Sequence, residues 1–365
     1  MELEQEQQDP VYYNFINSLH SESSKRNYRY SFFRFLKYCN LNEPKELLTI
    51  PLADLEGMIT KFLVKLNQEN KTNAMACLDL AAIRHFCKMN KIKLDWEYIK
   101  EFKGKSQTRK RKASGKDGAY SHDQIKKILD LCDMRYRVIV LLMGSCGMRV
   151  GAINLIQLKH LQKLDNMYKI TVYPGDGEEY FTFSSPECAS AIDFYLDYRK
   201  RNGENLEPES YLIREQFDIN DVEQVRSKGF PIKTNTIKNQ LAVILVRAGI
   251  RTMDHTNGHR SRHQVKTSHG FRKFFETQLI ESDVNLIVMK LLMGHDIKLD
   301  GSYYRPTEEF MLSEYEKAID NLTINEENRL RKKVETLEIE KSKIDTIALK
   351  LQLLEKKFNN KRKGN

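Results

Sequence analysis

A mainly helical protein of two domains is the fold class this sequence predicts, with one small antiparallel sheet in the second domain and a coiled-coil-like helix after it. Three observations point there. Apolar residues recur at helical spacing over residues 11–101, a cation-rich stretch free of acids then interrupts them, and the clearest strand-type alternation lies between Met167 and Phe183. At 365 residues the chain exceeds a typical single-core domain, so a boundary is expected.

The first domain spans 11–102. Tyr28, Phe32, Phe35, Leu36 and Cys39 share one helix face, which reads as core. Arg26, Tyr30, Phe33 and Lys37 fall on the opposite face, a mixture of cations and aromatics that suits a sugar-phosphate backbone. For Tyr30 and Phe33, packing against a neighbouring helix fits the pattern equally well. The runs DLEGMITKFLVKL and TNAMACLDLAAIRHFCKMN complete a bundle of about four helices.

Residues 103–117 read as an exposed basic linker. Lys103, Lys105, Arg109, Lys110, Arg111, Lys112 and Lys116 lie among small and polar residues, and so dense a run of cations can track phosphates while joining two domains around a duplex. Ser121 followed three residues later by Gln124 is a capping box that opens a new helical domain, 118–322. Inside it YKITVY and YFTF flank the turn PGDGEE as a hairpin, and helical patterns resume at CASAIDFYLDYRKR and TIKNQLAVILVRAGI. In the segment 323–365, Leu330, Leu337, Ile344, Leu351 and Phe358 stand seven apart with Val334 and Ala348 on the alternate seam. Lys341 and Glu355 share that seam and weaken it.

Composition narrows the function. A formal charge of +10 and a pI near 9.1 favour polyanion partners, nucleic acid first among them. No stretch approaches the length of about 18 apolar residues that a membrane span needs, and the acidic start lacks the features of a signal peptide. The six cysteines are scattered without paired short spacing, which argues against a zinc cluster and a disulfide framework. The expectation is an intracellular, cytoplasmic, DNA-associated protein.

Three segments carry candidate chemistry. In MGSCGMRVGAINLIQL a helix ends near Gly147 and another begins with Arg149 in its first turn, where a guanidinium and free backbone amides can hold a phosphate oxygen. In HGFRKFFETQL, His269 and Arg272 stand three apart on one helix face. In LLMGHDIKLDGSYYRP, His295 follows Gly294 and Tyr304 comes nine residues later. His255, His259 and His263 stand four apart, but Gly258 and their polar neighbours favour a basic loop over a zinc face.

The order of these residues resembles the tyrosine recombinase or phage integrase family, over roughly residues 12–319. Arg149 in GMR matches the family's first arginine, His269 and Arg272 its HxxR motif, Gly294 and His295 its glycine-histidine, and Tyr304 its nucleophile, which the spacing favours over Tyr303. The departures are Cys146 where the family has a threonine, Ala152 where it carries an acid, and Asp176 in the hairpin turn that usually holds a lysine. Lys169 and Lys159 stand near, both read as solvent-facing, and the lysine stays unassigned.

The resemblance implies a helical core-binding domain and an α+β catalytic domain clamped on double-stranded DNA. It further implies a homotetramer on two DNA sites, integration or excision of a mobile element, and a 3′-phosphotyrosyl intermediate made by Tyr304. Arg149 and Arg272 would clamp the phosphate while His269 and His295 assist. That chemistry calls for no metal ion or other cofactor, because the phosphotyrosyl ester itself stores the bond energy. A DNA-binding protein of this fold with weakened or lost catalysis, and a topoisomerase or resolvase using the same five residues, stand as alternatives.

Overall fold

Residues 9–69, 71–103, 118–227, 229–251, 265–297 and 304–330, with scattered positions from 334 to 351, are described by a computed structural model; they fall in two units, Met1–Ser114 and Gly115–Asn365. The basic residues Lys105, Arg109, Lys110, Arg111 and Lys112, the histidines 255, 259 and 263, and Tyr303 lie outside the described residues.

In the first unit α1 (Pro10–Asn17), α2 (Glu22–Cys39), α3 (Leu52–Gln68), α4 (Asn73–Met89) and the short α5 (Trp96–Glu101) build one core. Side chains of Asp9, Ser21, Thr72 and Asp95 accept hydrogen bonds from the first turns of α1, α2, α4 and α5, so these helices start at polar caps. Phe32 stacks on Phe86 at a centroid distance of 4.3 Å, and both rings are fully buried. The face expected to be core is core at Phe32, Phe35 and Leu36, while Tyr28 and Cys39 are half-buried at its edge. On the opposite face Arg26, Tyr30 and Lys37 are exposed, whereas Phe33 packs on Tyr12 at 5.7 Å. Arg34 reaches across to α4 with both carboxylate oxygens of buried Asp79 at 2.8 Å. Lys103 is half-buried in a turn that its own amide closes onto the Lys100 carbonyl, so it finishes α5 before any linker begins.

The second unit opens on α6 (His122–Leu129), where the Ser121–Gln124 capping box forms as expected. Next comes α7 (Met134–Ser145), which carries Arg135 and Arg137 near its start and is buried on every side from Val138 to Ser145, so that stretch sits at the centre of the core. The turn 146–149 and the four-residue α8 (Val150–Ile153) lead to a sheet of β1 (Leu161–Leu164), β2 (Met167–Val172) and β3 (Tyr180–Phe183), all antiparallel in the order β1-β2-β3. Strand β1 was not foreseen. Leu161 and Leu164, with Leu158 just before the strand, repeat at a helical interval, but Asp165, with φ of +45°, and Asn166 turn the chain tightly into β2. The remaining helices are α9 (Pro186–Arg201), α10 (Val222–Arg226), α11 (Thr234–Arg247), α12 (His269–Glu281), α13 (Leu286–Leu292), α14 (Glu308–Glu316) and α15 (Ile319–Leu322).

The core of this unit runs on to Ile324, past the position 322 at which the sequence pattern placed its end. Glu187, in the first turn of α9, accepts from the amides of Ile324 and Asn325 at 2.7 and 3.2 Å, and so anchors the chain where the tail begins. The described tail residues are helical, with Leu330, Val334, Leu337, Ile344 and Leu351 each more than half exposed. Among the described residues no helix is long and apolar enough to cross a membrane.

Candidate active site

The site is built around Arg272, in the first turn of α12 and only 4% exposed. A guanidinium at that depth needs partners, and two backbone carbonyls supply them: Nη1 donates to Gly147 O and Nη2 to Met293 O, each at 2.5 Å. Both carbonyls belong to glycine turns. Gly147 has a φ of +62°, and a Cβ there would lie 2.4 Å from the Phe275 ring, one turn further along α12. A glycine is therefore required both by the left-handed backbone and by the close approach of α12.

The second turn ends α13. Gly294 has a φ of +61° and donates to Leu291 O at 2.8 Å, and His295 N donates to Lys290 O at 2.9 Å. This is the Schellman arrangement, and it projects His295 beside Arg272, with Nη2 and Nε2 2.8 Å apart. Burial, then the charges of Arg272 and Arg149, hold the His295 pKa below its ordinary value. Burial also pulls Arg272 below its usual guanidinium value, with nearby Tyr180 opposing and Arg149 adding to the shift.

Arg149 stands at the N-cap of α8 rather than inside its first turn, more exposed than Arg272. Ala152, where the family carries an acid, is buried, and the largely exposed Glu178 of the hairpin turn lies 4.0 Å from Arg149 Nη1. His269 is the first residue of α12, one turn before Arg272, and is exposed. Tyr304 is half-buried on the segment entering α14; among the described residues it makes no hydrogen bond to Arg149, Arg272 or His295. The structure therefore draws Arg149, Arg272 and His295 into one cleft, sets His269 at its helix start, and leaves Tyr304 on a neighbouring segment.

Three ties in all converge on the end of α7 and the turn after it. Thr182 of β3 donates to Cys146 O at 3.1 Å, Tyr315 of α14 donates to Ser145 O at 2.8 Å, and Arg272 of α12 holds Gly147 O. Sheet, α14 and the HxxR helix are thus fastened to three consecutive residues, Ser145, Cys146 and Gly147.

Lys169 does not face solvent as expected. Its ammonium pairs with Glu308, the first residue of α14, at 19% side-chain exposure and with the Phe181 ring 4.7 Å away. Lys159 sits with half-exposed Glu209 at 4.0 Å. Also beyond the reach of sequence spacing was Tyr180, whose ring lies where a Cβ on Gly294 would come within 2.5 Å of it. Its distance in sequence from every motif hid it; only the adjoining turn lysine, expected and missing, drew attention to the hairpin.

No curated protein sequence matches the chain. Among solved structures, the Tn1549 transposon integrase in complex with transposon right-end DNA is similar at a TM-score of 0.53 and 12% identity, covering 84% of this chain and 98% of that one. A lambda integrase dimer bound to a core site is similar at a TM-score of 0.51 and 15% identity, covering 81% of this chain and 93% of that one. These likenesses show the fold, mostly helical with one small antiparallel sheet. The family model described as "Phage integrase family" matches residues 120–308, just over half of the chain, and takes in every residue of the cleft: this chain belongs to the phage integrase family, the tyrosine recombinases.

Proposed function

We propose that this protein is a site-specific DNA recombinase that cleaves and rejoins double-stranded DNA through Tyr304, in the service of integrating or excising a mobile element. The observation that carries the reading is the cleft itself: a buried guanidinium held by two turn carbonyls, with a second arginine and a neutral imidazole beside it. A phosphodiester gains negative charge on its non-bridging oxygens as it becomes pentacoordinate, so cations already fixed in place act most strongly in the transition state.

In the step, the phenol oxygen of Tyr304 forms a bond to phosphorus and the bond from phosphorus to the 5′ oxygen breaks. The phenolic proton passes to a nearby base, for which His269 and His295 are the candidates, and the 5′ oxygen takes up a proton. A 3′-phosphotyrosyl ester and a free 5′ hydroxyl remain, and attack by another 5′ hydroxyl reverses the step. Residues 11–102 serve as the core-binding domain, with Arg26, Lys37 and the basic segment 103–117 on the DNA backbone, and 118–322 as the catalytic domain. Four protomers on two DNA sites complete the assembly.

The test starts from a pool of nicked suicide duplexes with a randomised core, from which covalent adducts of the wild-type protein are recovered and sequenced. Tyr304→Phe should abolish capture of the recovered substrate while leaving DNA binding nearly intact, and Tyr303→Phe should be far milder. No wild-type adduct from the pool would favour a DNA-binding protein that has lost catalysis, a reading that Ala152 and the acidic hairpin turn support. Adducts surviving in Tyr304→Phe would move the nucleophile elsewhere.

A further inference from the structure

The hydroxyl of Tyr180 is buried and has no hydrogen-bond partner. A phenol so placed ordinarily costs stability, and its presence calls for an explanation. Tyr180 opens β3, opposite Val172 of β2, at the point where the acidic turn re-enters the sheet. Its ring is pinned on one side by the Gly294 turn that projects His295, and Tyr173, itself at a φ of +54°, has its ring 6.3 Å away. The charges that act on the hydroxyl are those of Arg272 and Arg149, the two arginines of the cleft.

Two donors of Arg272 are committed to Gly147 O and Met293 O and another faces His295, and the guanidinium lies beside the Tyr180 oxygen. Burial pushes the Tyr180 pKa up to about 12, so the phenol keeps its proton throughout the neutral range. A phenol that keeps its proton has an O–H to donate, and in a cleft of fixed cations what that O–H lacks is an anionic acceptor.

Resting on the recombinase reading above, we propose that Tyr180 is a further catalytic residue, its hydroxyl donating a hydrogen bond to a non-bridging oxygen of the scissile phosphate beside Arg272. The hairpin of this chain then contributes a neutral donor from the first residue of β3, while its turn carries Asp176, Glu178 and Glu179 and no lysine. Glu178, at 4.0 Å from Arg149, is the group an entering phosphate displaces from that arginine.

The experiment uses the full chain and the duplex recovered by wild-type capture. Tyr180→Phe keeps the ring on Gly294 and removes only the oxygen, and its folding is checked by melting temperature. Single-turnover cleavage should slow roughly ten- to hundredfold at unchanged DNA affinity, the loss of one donor to developing charge. The same variant is then compared with wild type on the two methylphosphonate diastereomers, each lacking one non-bridging oxygen. The penalty should vanish on one diastereomer and persist on the other. A wild-type rate for Tyr180→Phe overturns the inference, and so does an equal penalty on the phosphate and both diastereomers, which marks a structural role. Tyr304→Phe runs in parallel: if it still forms adducts, the assignment of Tyr304 as nucleophile has failed, whereas its loss of capture beside an unimpaired Tyr180→Phe sinks the inference alone.

Discussion

Nη2 of Arg272 lies 2.8 Å from Nε2 of His295, and since a guanidinium offers only donors, the imidazole nitrogen must be the acceptor. His295 is neutral in this arrangement and carries its proton on Nδ1. Burial and the Arg272, Arg149 and Lys290 charges all lower its pKa from the ordinary 6.5, with Glu276 opposing them. The relationship makes His295 an acceptor at rest, free to take a proton once a phosphate has neutralised the arginines.

This neutrality sets a pH dependence. Where the folded-state pKa lies below the unfolded one, the unfolded chain binds more protons, so the contact contributes fully above about pH 6.5 and is lost as pH falls through the lower folded-state value. Wild type should therefore lose melting temperature relative to His295→Gln, whose amide oxygen accepts without titrating, as pH is lowered from about 7.5 to about 5. A wild-type advantage that grows on acidification would mean a cationic imidazole.

The two arginines should separate into different kinds of loss. Arg149→Ala and Arg272→Ala should each slow cleavage about a hundredfold or more, with lysine restoring only part, because the guanidinium fork is gone. Arg272→Ala should also destabilise the fold by about 1–3 kcal/mol, since it strands the buried carbonyls of Gly147 and Met293. The half-exposed Arg149 should leave the melting temperature near wild type. Normal cleavage by either alanine variant would remove that arginine from the site.

Gly147→Ala should be among the more damaging single-methyl changes in the second unit. It places a side chain at a φ of +62° and a Cβ 2.4 Å from a fully buried phenylalanine. The backbone alone costs about 1–2 kcal/mol, and the clash with Phe275 adds to it. Gly151→Ala, where a Cβ meets nothing within 4 Å, is the control and should be neutral or slightly stabilising. Comparable melting temperatures for the two variants would show that the turn rearranges freely.

Deleting residues 327–365 should spare single-site capture and impair assembly of two DNA sites. Glu187 fastens Ile324 and Asn325, so the truncated chain keeps the anchor of the catalytic core and loses only the exposed seam of Leu330, Val334, Leu337, Ile344 and Leu351. Such a seam gains most by pairing with another helix, weakly off DNA and more strongly when protomers are held together there. Suicide-substrate capture and two-site synapsis, measured side by side, decide it. Loss of capture with synapsis intact would make the tail a support for the catalytic unit.

The sequence by itself determined the helical class, the hairpin of Met167–Phe183, the capping box at Ser121 and Gln124, and the ordered set Arg149, His269, Arg272, Gly294, His295 and Tyr304. Each of those is written at short range, in helical periodicity, in a cap three residues long, or in motif spacings of three and nine. Only the tertiary structure decided that Arg272 is seated by Gly147 O, 125 residues away, that Lys169 pairs with Glu308, 139 residues on, and that Tyr180 rests on the Gly294 turn with its hydroxyl unsatisfied. It also decided that Glu178 rather than position 152 faces Arg149, and that Asp165 and Asn166 fold a leucine-spaced segment into a third strand. The physical reason is the same throughout. Contacts between elements far apart in sequence depend on how helices and strands pack around α7, and no local period encodes which carbonyl a buried guanidinium will find.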